Sequence, residues 1–169
     1  MVRYYGRHSA KMFMRGKPIK FGYKLWCLCS SSGYLYNFEP YCGKTDEVEG
    51  PLGSRIITNL ISSIPADQYD KHELFFDNFF TSHKIMCYLS DKKFKATGTV
   101  RETRTGKCPL MASKQTEKQK ERGFFDHRFD EANEILIIKW NDNKPVSLAT
   151  NYSFIEPLGQ AKRYSRKDK

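Results

Sequence analysis

A single carboxylate, Asp77, stands in an aromatic stretch between residues 72 and 82. Four phenylalanines and one leucine surround Asp77 and Asn78, and no Gly or Pro interrupts them. The pattern predicts a buried strand that ends with Asp77 at its tip. Locally, Asp77 has an ordinary structural interpretation as the N-cap of a following helix, a position that Thr81 or Ser82 could also fill. The rest of the chain must decide between this structural role and a chemical one.

Cysteines form a second group of reactive side chains. The chain has five, at positions 27, 29, 42, 87 and 108, mostly within apolar patterns. Their odd number and placement predict buried thiols in a reducing compartment rather than a disulfide framework. Cys27 and Cys29 would point to the same side of a strand, and no matching Cys or His pair follows at zinc-site spacing. We therefore do not expect a zinc site.

Basic residues dominate the charge of the chain. Lys and Arg number 29 against 19 Asp and Glu, a formal net charge of +10. Nucleic acid is a natural partner for such a chain, although a solvated basic surface explains the charge equally well. The chain has no apolar run near the roughly 20 residues that cross a bilayer, and residues 1–8 lack the apolar core of a secretory signal. These features predict an intracellular protein with no membrane segment.

The elements that would position Asp77 follow from hydrophobic periodicity and turn residues. A chain of 169 residues fits one domain. The order of strands and helices in the first 100 residues predicts an α/β layer with a mixed sheet. The predicted strands lie at 1–7, 21–29 (both faces covered), 34–42, 75–77 and 94–100. The predicted helices run from Ser54, as N-cap, toward Pro65, and from Ser82 to Leu89. An acidic loop is expected at 44–50, and a second hairpin at 134–140 and 145–151.

The order of short motifs resembles piggyBac-type transposases and their domesticated derivatives. The motifs D-N-x-[FY]-T-S and T-G-T-[VI]-R, in this order and spacing, are specific, and the resemblance covers nearly the whole chain. The matching segments are Lys17-Pro-Ile-Lys-Phe-Gly-Tyr-Lys-Leu-Trp26, Gly33-Tyr-Leu-Tyr36, Tyr41-Cys-Gly-Lys44, Pro51-Leu-Gly53, Phe76-Asp-Asn-Phe-Phe-Thr-Ser82 and Thr97-Gly-Thr-Val-Arg101. The family implies an RNase H-like mixed sheet with flanking helices, here truncated at both ends, plus a C-terminal β-hairpin insertion region.

In these terms the chain divides into three parts. Residues 1–100 correspond to a partial transposase core, and residues 101–123 to a basic exposed loop with partial helix. Residues 124–169 correspond to the β-hairpin insertion region and a basic tail that is too polar to pack alone from residue 161. The expected DNA-contacting residues are Arg101, Arg104, Lys107, Lys114 and Lys118.

The resemblance also implies metal-dependent DNA cut-and-paste transposition. In the family, three aspartates bind Mg²⁺ or Mn²⁺, and Asp77 matches the second. The first is expected immediately upstream of Met1, and the third after the basic segment that matches residues 162–169. Two ions about 4 Å apart require several converging carboxylates, so Asp77 alone is not expected to bind them stably.

Other residues are weaker candidates for this site. Histidines 72 and 83 flank the Asp77 strand and are expected to be surface residues. Six aspartates in polar segments are expected to be solvated rather than recruited: Asp67, Asp70, Asp91, Asp126, Asp130 and Asp142. Four aromatic residues are expected at the core or the sheet edge first and as base-stacking residues second: Tyr4, Tyr5, Trp26 and Trp140.

Three functional hypotheses follow. The chain is a catalytically incomplete fragment of a piggyBac-type transposase, a non-catalytic DNA-binding module recruited by its host, or part of an incomplete gene model of an active transposase. All three imply DNA as partner and a nuclear location, and the family leaves a dimer possible. A shortened first strand beside residues 21–29 also predicts an exposed sheet edge and marginal stability.

Overall fold

The computed structural model of the chain describes residues 1–43 and 50–159. The acidic loop predicted at 44–50, apart from Gly50, and the tail predicted from residue 161 lie outside these ranges. The strands are β1 (Val2–Arg3), β2 (Met12–Phe13), β3 (Phe21–Tyr23), β4 (Leu25–Cys29), β5 (Leu35–Pro40), β6 (Glu73–Phe76), β7 (Lys95–Thr99), β8 (Phe125–Asp130), β9 (Ile135–Asn141) and β10 (Pro145–Thr150). The α-helices are α1 (Leu52–Ile61), α2 (His83–Asp91) and α3 (Ser113–Gln119), with 3₁₀ turns at Ala66–Lys71 and Glu102–Arg104.

A five-stranded mixed sheet carries the strand that precedes Asp77. Its order is β6-β7-β10-β9-β8, with β6 and β7 parallel and the other neighbours antiparallel. The mixed sheet expected from the sequence is therefore present, and the predicted C-terminal hairpin forms as β9 and β10. The hairpin pairs directly with β7, Leu148 lying opposite Thr99. Strand β8 was not predicted, because its alternation of Phe with charged residues lacks the apolar face of a buried strand.

The first 43 residues form two smaller sheets. Strands β1, β3 and β2 make one sheet, and β4 with β5 makes a hairpin. The strand predicted at 21–29 is thus divided between two sheets, and the prediction that both its faces are covered is wrong, since Phe21 and Cys27 are exposed. The prediction of buried thiols is also wrong for Cys27, Cys29 and Cys42, which are exposed, whereas Cys87 and Cys108 are partly buried.

Helices α1 and α2 cover the apolar side of the five-stranded sheet. Their inward residues include Ile57, Ile61 and Met86, which pack with Phe94 and Ile135 in one buried cluster. Helix α1 also supports the β4–β5 hairpin, because Asn37 on β5 donates a side-chain hydrogen bond to the carbonyl of Leu60 at 3.2 Å. The described residues include no helix long and apolar enough to span a membrane.

The N-cap residues of α1 and α2 can be compared with the caps expected from the sequence. Helix α1 begins at Leu52 with Pro51 at its N-cap, so the prediction of Ser54 as cap is wrong. Of the three cap candidates for α2, Asp77, Thr81 and Ser82, the cap is Ser82, whose side chain accepts a hydrogen bond from the Ile85 N–H at 3.3 Å.

Replacing Ser82 by alanine should therefore destabilise the start of α2. The expected loss is about 1 kcal/mol of unfolding free energy, because one N–H at the helix start loses its acceptor. Urea denaturation measures it. Ser82→Asp keeps an acceptor and should retain most of the stability, so equal losses for the two variants would contradict a capping role.

Candidate functional site at the Asp77 turn

Asp77 lies where β6 ends and the chain turns toward α2. Its Oδ1 accepts a hydrogen bond from the Phe79 N–H at 2.8 Å, and its carbonyl accepts from the Thr81 hydroxyl at 2.9 Å. Asp77 therefore closes a turn of residues 77–80, which we call the Asp77 turn, while Ser82 caps the helix. The expectation of a buried strand is only half right, since Leu74 is buried but Phe75 is 68% exposed. The Asp77 side chain faces solvent.

Two glycines allow neighbouring backbones to approach this turn closely. A Cβ at Gly53, in the first turn of α1, would lie 2.5 Å from the Phe79 carbonyl oxygen. A Cβ at Gly98, on β7, would lie 2.4 Å from the Thr81 hydroxyl oxygen and 2.8 Å from the Phe76 ring. Both separations are far below van der Waals contact. Glycine at these two positions therefore lets α1 pack directly on the turn and β7 pack on the two residues that flank it, Phe76 and Thr81.

Aromatic stacking by a residue of β4 also holds the turn in place. The Trp26 ring on β4 stacks on Phe79 with 5.0 Å between ring centroids and 16° between planes, and it meets Phe80 edge-on at 5.3 Å. The Lys24 ammonium lies 3.6 Å from the Trp26 ring centroid, a cation–π contact. Burial lowers the pKa of Lys24, and the Asp77 carboxylate opposes that shift. Trp26 therefore packs on the turn with Lys24 over its ring.

Two of the expected DNA-contacting residues bind the Asp77 turn itself. The Arg101 Nε donates to the Asn78 side-chain oxygen at 3.0 Å. Arg104 donates through Nη1 to the carbonyls of Phe79 at 2.6 Å and Asn78 at 3.3 Å. The other three, Lys107, Lys114 and Lys118, are exposed further along the basic segment. The structure thus brings the positive charge of two arginines to the Asp77 turn, at Asn78 and Phe79.

Replacing Arg104 by alanine should loosen the turn. We expect the free energy of unfolding to fall by about 1–2 kcal/mol, because two carbonyls lose a charged donor. Arg101→Ala is the matched control, since its bond is to one exposed side chain, and it should change stability by less than about 0.5 kcal/mol. Chemical denaturation compares them. Equal losses would show that Arg104 has no special part in holding the turn.

The alternative carboxylates do not gather around Asp77. Asp67, Asp70 and Asp91 are exposed, as expected. The expectation of solvation is wrong for Asp126, a largely buried side chain that accepts from the Met111 N–H at 2.8 Å and from Arg128 at 2.7 Å. Burial alone would raise the pKa of Asp126, but these hydrogen bonds outweigh it and the pKa is lowered. Asp142 pairs with Arg122 at 2.9 Å.

Histidine 83 also differs from the expected surface residue. Its Nε2 lies 2.8 Å from Asp130 Oδ2, and its Nδ1 lies 3.6 Å from the Cys87 sulfur. Hydrogen bonds from Asn133 and His83 lower the pKa of Asp130, whereas burial raises that of the Cys87 thiol. A thiol with a raised pKa is a poor nucleophile, so the cluster ties α2 to β8 and is not an activated cysteine.

The candidate base-stacking aromatics are not gathered at one place. Tyr5 and Trp140 are largely exposed, whereas Tyr4 and Trp26 are partly buried. Tyr4 packs on Tyr23 with 4.8 Å between the ring centroids. Trp26 is therefore the member of this set that belongs to the Asp77 turn.

The described residues do not fit a divalent metal site. No group of three or more His, Cys, Asp or Glu side chains within 1–43 and 50–159 could hold an ion. Asp77 brings one carboxylate, and one of its oxygens already accepts a backbone hydrogen bond. A hard cation needs several rigidly placed oxygen ligands, which this turn alone does not supply.

Comparison with known proteins decides the family. The family model described as Transposase IS4 matches residues 1–169, the whole chain, and human piggyBac transposable element-derived protein 2 is 40% identical over 169 residues. The chain belongs to the piggyBac-type transposase family. Human piggyBac transposable element-derived protein 3 is 41% identical over 170 residues. These alignments cover 98% and 99% of this piggyBac-type chain but only 28% of each human protein. The family's chemistry depends on divalent metal.

A solved structure of the family has the same fold. A chain in the cryo-EM structure of a piggyBac transposase synaptic complex with hairpin DNA matches with a TM-score of 0.74 at 23% identity. The match covers 93% of this piggyBac-type chain and 32% of that chain. The RNase H-like mixed α/β fold expected from the sequence is therefore confirmed.

The motifs that carry the family resemblance converge on the Asp77 turn. Trp26 comes from the first, Gly53 from the Pro-Leu-Gly segment, and Gly98 and Arg101 from the T-G-T-[VI]-R motif. The sequence interpretation missed the role of both glycines. Glycine inside a helix or strand weakens it unless another backbone must approach, and that signal could have identified them.

Proposed function

We propose that this chain is part of the catalytic domain of a piggyBac-type transposase, that it contributes the middle carboxylate, Asp77, and that by itself it binds DNA without cutting it. The Asp77 turn carries this proposal, because the turn combines a solvent-facing carboxylate with two arginines. The proposed ions of the complete site are Mg²⁺ or Mn²⁺. The remaining ligands would have to come from outside the described residues, since those residues contain no metal-holding group.

DNA is the proposed partner, and the proposed place of action is the nucleus. The formal net charge of +10 favours a polyanion, and exposed lysines extend the positive charge from the Asp77 turn along the basic segment. The related cryo-EM structure is a synaptic complex with hairpin DNA. Duplex DNA lying along the basic segment would place its backbone near Asp77.

Binding is tested by titrating duplex DNA at several salt concentrations. We expect affinity to fall linearly with salt on logarithmic axes, as phosphate contacts release counterions. Combined replacement of Lys107, Lys114 and Lys118 by alanine should reduce that slope by about 1 for each phosphate that is no longer neutralised. Replacing Lys71, Lys92 and Lys93, which lie outside the basic segment, is the matched control. Absence of binding at low salt would refute the DNA-binding proposal.

Catalytic incompleteness needs a separate experiment. A strand-nicking assay with Mg²⁺ or Mn²⁺ should show no cleavage by the chain or by Asp77→Asn. Cleavage by the unaltered chain that disappears in Asp77→Asn would show that the site is complete and would overturn this part of the proposal. DNA binding could survive that result, so the two parts are tested independently.

A second candidate is a DNA-binding module recruited by its host, favoured by the exposed basic segment. A third is that this sequence is an incomplete gene model of a longer, catalytically active transposase. Sequencing the transcript upstream of Met1 and downstream of Lys169 separates these two. An open reading frame encoding further aspartate motifs would support the longer transposase, and in-frame stop codons on both sides would support the module.

A further inference from the structure

Helix α3, in the basic segment, is held at both of its ends by side chains from other parts of the chain. It has seven residues, and a helix this short is only marginally stable by itself in water. Lys114 and Lys118 are exposed on this helix, and their spacing of four residues places them on the same face. The contacts that hold α3 therefore also set the direction in which this pair of charges points.

At the N-terminal end of α3, the acceptor comes from outside the helix. The N-cap residue is Ala112, whose side chain cannot accept a hydrogen bond. The Glu102 carboxylate instead accepts from the Ser113 N–H at 2.8 Å and from the Ser113 hydroxyl at 2.6 Å. A carboxylate at this position satisfies a free N–H and complements the helix dipole. Because Glu102 is also bonded to the buried Lys139, this end of α3 is tied to β9.

At the C-terminal end of α3, the donor is the side chain of Asn141, the last residue of β9. Asn141 is only 5% exposed. Its Nδ2 lies 2.9 Å from the Lys120 carbonyl, 3.1 Å from that of Glu121 and 3.4 Å from that of Thr116. The last carbonyls of a helix have no partner within it, so this one amide closes the end of α3. Both ends of the helix are thus fixed to the same strand.

The rotation of α3 about its axis is fixed by Thr116, which is completely buried. Residues two apart on a helix differ by about 200° in direction. Lys114 and Lys118, two residues before and after Thr116, therefore both point away from the protein. A helix with fixed ends and a fixed rotation presents the two lysines as a preformed pair.

We propose that Asn141 is a positioning residue for DNA binding: by holding α3 on β9, it keeps Lys114 and Lys118 where each contacts a phosphate of one DNA strand. This role rests on the proposed DNA-binding function. The two lysines are about 6 Å apart along the helix, and the phosphates of one strand recur about every 3.4 Å along the duplex, so each lysine reaches a different phosphate. Lysines on an unheld segment would bind more weakly, because the segment would lose conformational entropy on binding.

The test is Asn141→Ala, which removes the donor without changing the net charge. Its affinity for duplex DNA at low salt should fall about threefold to tenfold, the effect of one or two phosphate contacts. Asn151→Ala is the matched control, because the Asn151 side chain also makes buried-edge bonds, to Ala96 at 2.7 Å and Phe94 at 2.8 Å, but beside β7. Asn141→Ser keeps one donor and should give an intermediate affinity, so the series does not depend on one variant folding.

A double-mutant comparison shows whether Asn141 acts through the lysines. When Lys114 and Lys118 are both alanine, Asn141→Ala should change DNA affinity less than about twofold. Amide hydrogen exchange of α3 should become faster in Asn141→Ala and stay unchanged in Asn151→Ala. Equal DNA affinity of Asn141→Ala and the unaltered chain, an equal loss without the two lysines, or unchanged exchange of α3 would each overturn this role and leave DNA binding standing. An unaltered chain that does not bind DNA would overturn both.

Discussion

Replacing Gly53 by valine is expected to lower the free energy of unfolding by about 3 kcal/mol, one of the two largest effects expected in this chain. The Cβ would lie 2.5 Å from the carbonyl oxygen of Phe79 and 3.0 Å from the Cα of Phe80. Both obstacles are backbone atoms, so no side-chain rotation relieves the contact. Helix α1 or the Asp77 turn must move. Urea denaturation measures the loss.

The matched control is Gly159→Val, where nothing lies within 4 Å of the added Cβ. This variant should change stability by less than about 0.5 kcal/mol. A second measurement follows the turn directly, because Trp26 stacks on Phe79 and its fluorescence should change in Gly53→Val. A Trp140→Phe background removes the other tryptophan. Wild-type stability together with unchanged Trp26 emission would show that the close approach of α1 does not restrain the turn.

The parts of the fold that the sequence predicted depend on local chemistry. Ser82 caps α2 because a hydroxyl next to a helical apolar pattern finds a nearby N–H. The β9–β10 hairpin follows from two β-rich runs around an Asn/Asp turn. Each signal lies within a few residues of the structure that it forms, so the local sequence is enough to predict that structure.

The parts that were missed depend on distant partners. Strand β8 is a strand because Phe125 lies opposite Trp140, and its own sequence has no buried face. The division of residues 21–29 arises because β3 pairs with β1 while β4 pairs with β5. Cys27 and Cys29 lie on β4, which pairs only with β5 within the described residues, and both thiols remain exposed.

The candidate site shows a similar limit. The family resemblance predicts a role for Asp77, but it does not show what holds the residue in place. Its supports come from α1, β4, β7 and the basic segment, which are far apart in sequence. Only the fold shows that Gly53 contacts the turn and that Gly98 contacts the residues on either side of it.

Replacing Glu102 by glutamine is expected to cost about 2 kcal/mol at neutral pH. The Lys139 side chain is only 2% exposed, and its ammonium donates to Glu102 and, at 2.5 Å, to the Met111 carbonyl. Removing the carboxylate charge leaves this ammonium buried beside neutral acceptors. Because Glu102 is 51% exposed, solvent screening keeps the expected loss below that of a fully buried pair. Glu131→Gln, an exposed position, is the control in the same denaturation series.

The pH dependence of the stability lost in Glu102→Gln distinguishes a lost charge interaction from lost packing. Hydrogen bonds from Lys139 and Ser113 lower the pKa of Glu102 from 4.5 to about 2. A lowered folded-state pKa means that the unfolded chain binds the proton more readily, so the contribution is complete above about pH 4.5 and is lost as the pH falls toward 2. Wild type and Glu102→Gln should therefore converge in stability across that window. Lys139→Met removes the buried charge and should cost less than Glu102→Gln at neutral pH, because the half-exposed carboxylate left behind remains solvated and bonded to Ser113. A Glu102→Gln deficit that stays constant from pH 7 to pH 3 would assign the loss to packing.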